Sequence, residues 1–390
     1  MKVYIFNNYL KIRKIKNALK NKLIPEKILN KILETIQSFL YFYEIKIYFL
    51  LFLKTFNLIN EKKFNKPIFL YDLRTMPMTF DFGDTLFKVN YWLKKIGLEK
   101  CDCVIFANKD DFIPMKFRSY NLLFSKEELW ERIENILIPL AESANFINDI
   151  KLISEKYELD KILKDNFIIY PPYYANLKKF NLVIKGEPLR RFRNFIRNKN
   201  SFFYIMNFCE PKFESIKSVK QTLKISNEDK IVTFTVRDYE FEPIRNTNYR
   251  YLKDLYEFFN EHGYRFIVIP DHKNQKPNID VEIFSEAAND TKKRIALYNL
   301  AKINIATTGG PAWLARYMPG VNMFITHILK NGNHIGSYKD LKSFYGKDFT
   351  WGCQPFQEFD THLIYGPEDC ISKLTENDRL KQIMRLNKLI

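Results

Sequence analysis

From residue 66 onward, short apolar runs alternate with stretches whose apolar positions recur every three or four residues. The first pattern predicts buried strands and the second predicts amphipathic helices. In the first half the apolar runs are 66–73 (KPIFLYDL), 100–107 (KCDCVIFA) and 167–170 (FIIY). A helix is predicted over 85–96, carrying Leu86, Val89, Trp92 and Leu93. Another is predicted over 126–140, with Ser125 as its cap and Glu127 and Glu128 in its first turn. In the second half the runs are 231–236 (IVTFTV), 265–269 (RFIVI), 303–306 (INIA) and 322–326 (NMFIT), with helices predicted over 249–262 and 291–302. Residues 331–366 read as irregular, and a closing helix is predicted over 367–389.

Strands that alternate with helices predict parallel α/β layers. Two such halves predict two Rossmann-like domains facing a cleft. The expected organisation is a basic, aromatic helical extension (1–60), an N-terminal domain (61–220), a C-terminal domain (221–366) and a final helix (367–390). A basic helix over 186–200, with Arg190, Arg191, Arg193 and Arg197, reads either as a bridge between the two domains or, more simply, as a solvated face.

The strand at 303–306 ends in Thr307-Thr308-Gly309-Gly310-Pro311. Two glycines let backbone amides approach a ligand without Cβ in the way. Pro311 suits the first turn of a helix, which residues 312–317 are expected to continue. The free N–H groups at such a helix start favour an anion, typically a phosphate. A plain β–α turn that uses glycine for geometry alone would look the same.

Composition changes this picture only in part. At 390 residues with 46% hydrophobic positions, the chain supports two or three folded domains. Its net charge of +17 suits anionic partners: nucleic acid, acidic headgroups or phosphorylated substrates. The arginine run at 190–197 is the only basic cluster of the nucleic-acid kind and it is short, so no nucleic-acid partner is expected. Five scattered cysteines form no CxxC pair, and the histidines show no ligand spacing. A reducing, cytoplasmic compartment, no metal and no other cofactor are therefore expected. Residues 38–58 (SFLYFYEIKIYFLLFLKTFNL) are apolar but interrupted by Glu44, Lys46 and Lys54. Beside the basic residues 1–36, this window reads as a helix lying in a membrane interface, at the inner leaflet, as a helix buried on the domain core, or as a membrane span.

Two constellations offer chemistry. In Thr235-Val236-Arg237-Asp238, Arg237 stands where a strand runs out, and a guanidinium there can fork two donors onto phosphate oxygens. Arg245, followed by Asn246, would add a second cation. The other constellation is Tyr71-Asp72-Leu73-Arg74 with Thr79-Phe80-Asp81-Phe82-Gly83-Asp84. Asp81, Asp72 or Asp84 could serve as a general base, or could simply cap the helix that follows.

With these motifs in view, TVRD, a strand ending in Pro270-Asp271, and ATTGGPAWLA together resemble the nucleotide-binding half of GT-B glycosyltransferases. They are similar to bacterial surface-glycan transferases and more loosely to fucosyltransferases. The resemblance covers roughly 66–370. It implies that Arg237 with Thr307, Thr308, Gly309 and Gly310 holds a donor diphosphate, that Asp271 lies near the nucleoside, and that Arg74, Arg245 and Asn246 help bind substrate. It implies a nucleotide-sugar donor and a lipid-linked or growing glycan acceptor, with protein cations in place of a metal. The paired arginines and histidine of the fucosyltransferase motif are missing here. A sugar-nucleotide epimerase on the same fold, a non-catalytic scaffold, and a nucleic-acid- or membrane-binding protein are the rival readings.

Overall fold

The computed structural model describes residues 67–107, 125–171, 207–271 and 279–328, apart from Thr75, Phe167 and 240–242, together with Ser337, Lys339 and 363–367. The N-terminal basic and apolar segment, the arginine run at 190–197 and the helix expected beyond 367 lie outside the described residues.

Two parallel sheets organise the chain. The first half runs β1 (Ile68–Asp72), α1 (Phe82–Lys95), β2 (Cys101–Phe106) and α2 (Lys126–Arg132). A π-helical turn, Ile133–Leu137, then leads into α3 (Ile138–Ser143), β3 (Ile147–Ile153), α4 (Lys156–Asp165) and β4 (Ile169–Tyr170). Its strands lie in the order β3-β2-β1-β4, all parallel. The second half runs α5 (Phe213–Thr222), β5 (Ile231–Thr235), α6 (Tyr249–Glu261), β6 (Arg265–Ile269), β7 (Glu282–Ile283), α7 (Glu286–Asn289), α8 (Thr291–Leu300), β8 (Ile303–Thr307), α9 (Gly310–Leu314), β9 (Met323–Ile328) and β10 (Leu363–Pro367). Its strands lie in the order β10-β9-β8-β5-β6-β7, again all parallel. The architecture is the expected pair of Rossmann-like layers.

Every residue of β1 and β5 is buried, as befits parallel strands covered on both faces. Along β5 the side chains alternate. Val232, Phe234 and Val236 pack with Leu252, Leu255 and Phe259 of α6. On the other face Ile231 joins the cluster that contains Ile295 and Tyr298 of α8. That cluster continues without a break into Phe69, Phe82, Leu137 and Ala141 of the first half, so one core joins the two sheets. Lys292 on α8 pairs with Glu142 on α3 at 2.6 Å across the same junction.

Topology places two crevices. At β1 the chain order reverses, with β2 on one side and β4 on the other; at β5 it reverses again, between β6 and β8. Open α/β sheets bind ligands outside the carboxyl ends of strands at such reversals. The register sharpens this: Thr235 is level with Ile269 and Ala306, so the loops carrying Arg237, Asp271 and Thr308 leave the sheet together.

Several expected bounds shift for local reasons. The first helix begins at Phe82 rather than 85, because the Phe82 and Gly83 amides already donate to the Thr79 and Phe80 carbonyls at 3.0 Å. The helix expected over 126–140 widens into the π turn just before Pro139, which has no N–H to donate to residue 135. The strand within 331–366, which the sequence left irregular, is β10. Five further elements, β3, α4, α5, β7 and α7, stand where the hydrophobic pattern named none.

Candidate active site

A cavity of about 360 Å³ lies between the carboxyl edges of the two sheets. This is within the usual size range for small-ligand sites. The first half contributes Thr79, Phe80 and Asp81 from the loop after β1, with Glu128, Glu131 and Arg132 from α2. The second half contributes Arg237 beyond β5, Asp271 beyond β6, and Thr307, Gly309 and Gly310 beyond β8. The juxtaposition expected from sequence is therefore present: a Cβ built on Gly309 would lie 3.9 Å from Arg237 Cδ. Gly310 is needed for a different reason. A Cβ there would come within 3.1 Å of Phe80 Cβ and Cδ2, so the turn closes against the opposite half.

Arg237 is held at its root and at its tip. Its backbone N–H donates to Thr247 Oγ1 at 2.9 Å, and Nη1 donates to Asn246 Oδ1. Asn246 thus aims the arginine and is not itself among the lining residues. Asp271 accepts the Asp238 N–H at 2.8 Å, which ties the loops after β5 and β6 together.

Arg245, the expected second cation, borders the cavity and also holds the turn. It is buried, and its Nε and Nη2 donate to Thr308 Oγ1 at 3.2 Å and to the Thr308 carbonyl at 2.8 Å. It braces the glycine turn from within, and Thr308 faces it instead of lining the cavity. The helix after the turn starts at Gly310, one residue before Pro311, and is only five residues long before tightening into the 3₁₀ turn Ala315–Tyr317. So short a helix adds little dipole. An anion here would depend on the guanidinium.

On the other wall, the loop after β1 is fixed by Arg132, whose Nε donates to the Met78 carbonyl at 2.9 Å. Asp81 stands at the N-cap position of α1 but makes no side-chain cap hydrogen bond. Burial pushes its carboxyl up to about 6, and the neighbouring Asp84 charge adds to the rise; the Thr79 hydroxyl, Arg316 and Lys88 oppose it.

The other two carboxylates are engaged elsewhere. Asp72 is 1% exposed and takes a bidentate pair from Arg74, at 2.9 Å from Nε and 2.7 Å from Nη2. The Arg74 guanidinium also lies 4.7 Å from the Phe106 ring centroid. Neither Asp72 nor Arg74 borders the cavity. Asp84 accepts the Tyr317 hydroxyl and lies 3.8 Å from Arg316 Nη1, joining the two halves beside the cavity. Among the described residues no three His, Cys, Asp or Glu side chains gather as metal ligands would. Cys101, Cys103 and Cys209 are buried free thiols.

Sequence reasoning missed the contributions of α2 and of α8, which brings Arg294 to the cavity. Helix α2 carries mixed charges and α8 a run of cations, and both read as solvated faces. Only the shared apolar cluster, which is not visible in the linear pattern, turns them inward.

No family model matches the chain, and no curated protein matches it in sequence. Among solved structures, the glycosyl transferase family 9 protein from Veillonella parvula is 12% identical, with a TM-score of 0.45, over 80% of this chain and 88% of that one. The E. coli ADP-heptose lps heptosyltransferase II is 10% identical, with a TM-score of 0.45, over 80% and 98%. The wall teichoic acid polymerase TagF is 9% identical, with a TM-score of 0.36, over 83% and 82%. Similarities this distant carry no argument about activity.

Proposed function

We propose that the cleft transfers a glycosyl group from a nucleotide-diphosphate donor to a hydroxyl of a growing or lipid-linked glycan. The observation that supports this most is the pairing of opposite chemistries across one cavity. Asp81, from the first sheet, faces a site whose far wall holds Arg237 beside the backbone of Gly309 and Gly310. In this reading Asp81 takes the proton of the acceptor hydroxyl, whose oxygen bonds to the anomeric carbon. The bond from that carbon to the diphosphate breaks, and Arg237 with the glycine-turn amides receives the released charge. A carboxyl lifted to about 6 suits a base that works near neutrality. The rate should therefore rise with pH through about 6 and then level off.

The test is a thermal-shift panel of UDP-, GDP-, CMP- and ADP-sugars, followed by a transfer assay with the donor that binds. Ligand at about 100 times its Kd stabilises by about 2.7 kcal/mol. No stabilisation by any donor defeats the proposal. Donor turnover without an acceptor replaces it with the epimerase reading. Residues 1–58 would hold the enzyme at an acidic cytoplasmic membrane surface. Deleting them should release the chain from acidic liposomes, and unchanged binding removes that element.

A further inference from the structure

Arg294, on α8, is 2% exposed and borders the cavity described above. Its hydrogen bonding is sparse. Nη2 donates to the Ala288 carbonyl at 3.2 Å, Nη1 lies 3.5 Å from the Tyr298 hydroxyl, and Nε has no partner. No carboxylate among the described residues pairs with it, whereas its helix neighbour Lys293 has Glu286. A guanidinium keeps its charge at any ordinary pH. Burying that charge without a counter-ion is costly, so chains rarely keep one unless something neutralises it.

The surroundings show where such a counter-ion would sit. The Tyr298 hydroxyl that Arg294 approaches is bonded to Thr235 Oγ1 at 2.7 Å. Thr235 is two residues before Arg237, so strand alternation puts both on the α8 face of the sheet. Thr235, Thr307, Arg237 and Arg294 all line the one cavity.

We infer that Arg294 is a second diphosphate-binding cation, gripping from the cavity floor the same anion that Arg237 meets at the sheet edge. The inference rests on the donor reading above and adds the residue that would make the site selective for a diphosphate over a monophosphate. Two guanidiniums on separate elements match two phosphoryl groups better than one.

The experiment is calorimetric titration of the full chain with inorganic pyrophosphate, inorganic phosphate, and UDP, GDP, CDP and ADP. Arg294→Met should weaken pyrophosphate, and whichever nucleotide binds, by about ten- to a hundredfold. Its melting temperature without ligand should equal or exceed that of the wild type, because an uncompensated buried charge has gone. A methionine variant that binds diphosphate as the wild type does overturns the inference. So does a wild type that binds none of these anions. Should the methionine variant not fold, Arg294→Gln keeps polar contacts without charge and carries the same two outcomes. If pyrophosphate binding depends on Arg294 while no nucleotide-sugar binds, the transferase reading falls and the anion site stands. If donors bind and the variant binds them equally, the reverse holds.

Discussion

The two walls of the cleft are built from similar parallel layers yet carry opposite chemistry. On the first-sheet wall the loop after β1 ends in Asp81, an acid lifted by burial to about 6 and set among Glu128, Glu131 and Arg132. On the second-sheet wall the equivalent position after β5 ends in Arg237, with Gly309 and Gly310 beside it. The difference lies in what each loop does with its charges. The first half neutralises its nearest pair internally, Asp72 with Arg74, and leaves Asp81, Glu128 and Glu131 at the cavity, with Asp81 the carboxyl lifted by burial. The second half uses Arg245 to hold its own turn, and brings Arg237, Arg245 and Arg294 to the cavity. One wall is arranged to accept a proton and the other to hold an anion.

This contrast can be broken from either side. The largest expected loss comes from Asp81→Asn, which should cut turnover by about 10²–10⁴-fold while donor binding persists, since a general base contributes on that scale. Equal loss of donor binding would mean that the acid wall is not separate from the anion wall. The same variant has a stability signature. Because burial raises the Asp81 carboxyl above its unfolded value, the native state binds the proton more tightly. Wild-type stability therefore falls as pH rises from about 4 to about 6. Asp81→Asn should melt like the wild type at pH 4 and higher than it at pH 8. The gain is at most about 3 kcal/mol, and less as far as water screens the carboxylate.

Next in size, Arg237→Ala should lower kcat/KM by about a hundredfold and abolish the thermal shift given by a nucleoside diphosphate. A retained shift would move the anion site elsewhere. Gly83→Ala sharpens the contrast from the seam between the walls. Its Cβ would lie 2.8 Å from Tyr317 Cε2, and Tyr317 is buried. A loss of about 1–3 kcal/mol in chemical denaturation is expected, and a neutral result would show that the seam yields. The smallest effect is expected from Thr308→Val. It removes one acceptor of Arg245, at a cost of about 1 kcal/mol, and should loosen the glycine turn enough to weaken donor binding slightly.

How much of this was legible in the linear pattern depended on burial. The strands 265–269 and 303–307 are mostly apolar and almost wholly buried, and the sequence announces them within a residue. Strand β3 is an edge strand with Asn148, Asp149 and Lys151 largely exposed, so its residues neither alternate nor cluster. Helix α4 buries only Leu159 and has no side-chain cap, which leaves its pattern faint. At the site, Arg237 and the glycine turn were readable because each follows an obvious strand, and the register brings strand ends together. The partnership of Arg245 with Thr308 was not readable, because it joins residues 63 positions apart. Nor was the bidentate Asp72–Arg74 pair, since spacing alone does not reveal whether neighbouring charges meet each other or the solvent.

Tyr317 binds the two halves to each other more than any other side chain described above. Its carbonyl accepts the amides of Phe208 and Cys209 at 3.1 and 2.9 Å, its ring stacks on Phe208, and its hydroxyl reaches Asp84. It also sits seven residues beyond Gly310, at the end of the short helical segment that the glycine turn begins. Any rocking of one layer against the other must then swing about this fulcrum. Phe80 and Gly310 meet across the same seam, so a tilt about Tyr317 would change the width of the mouth between them.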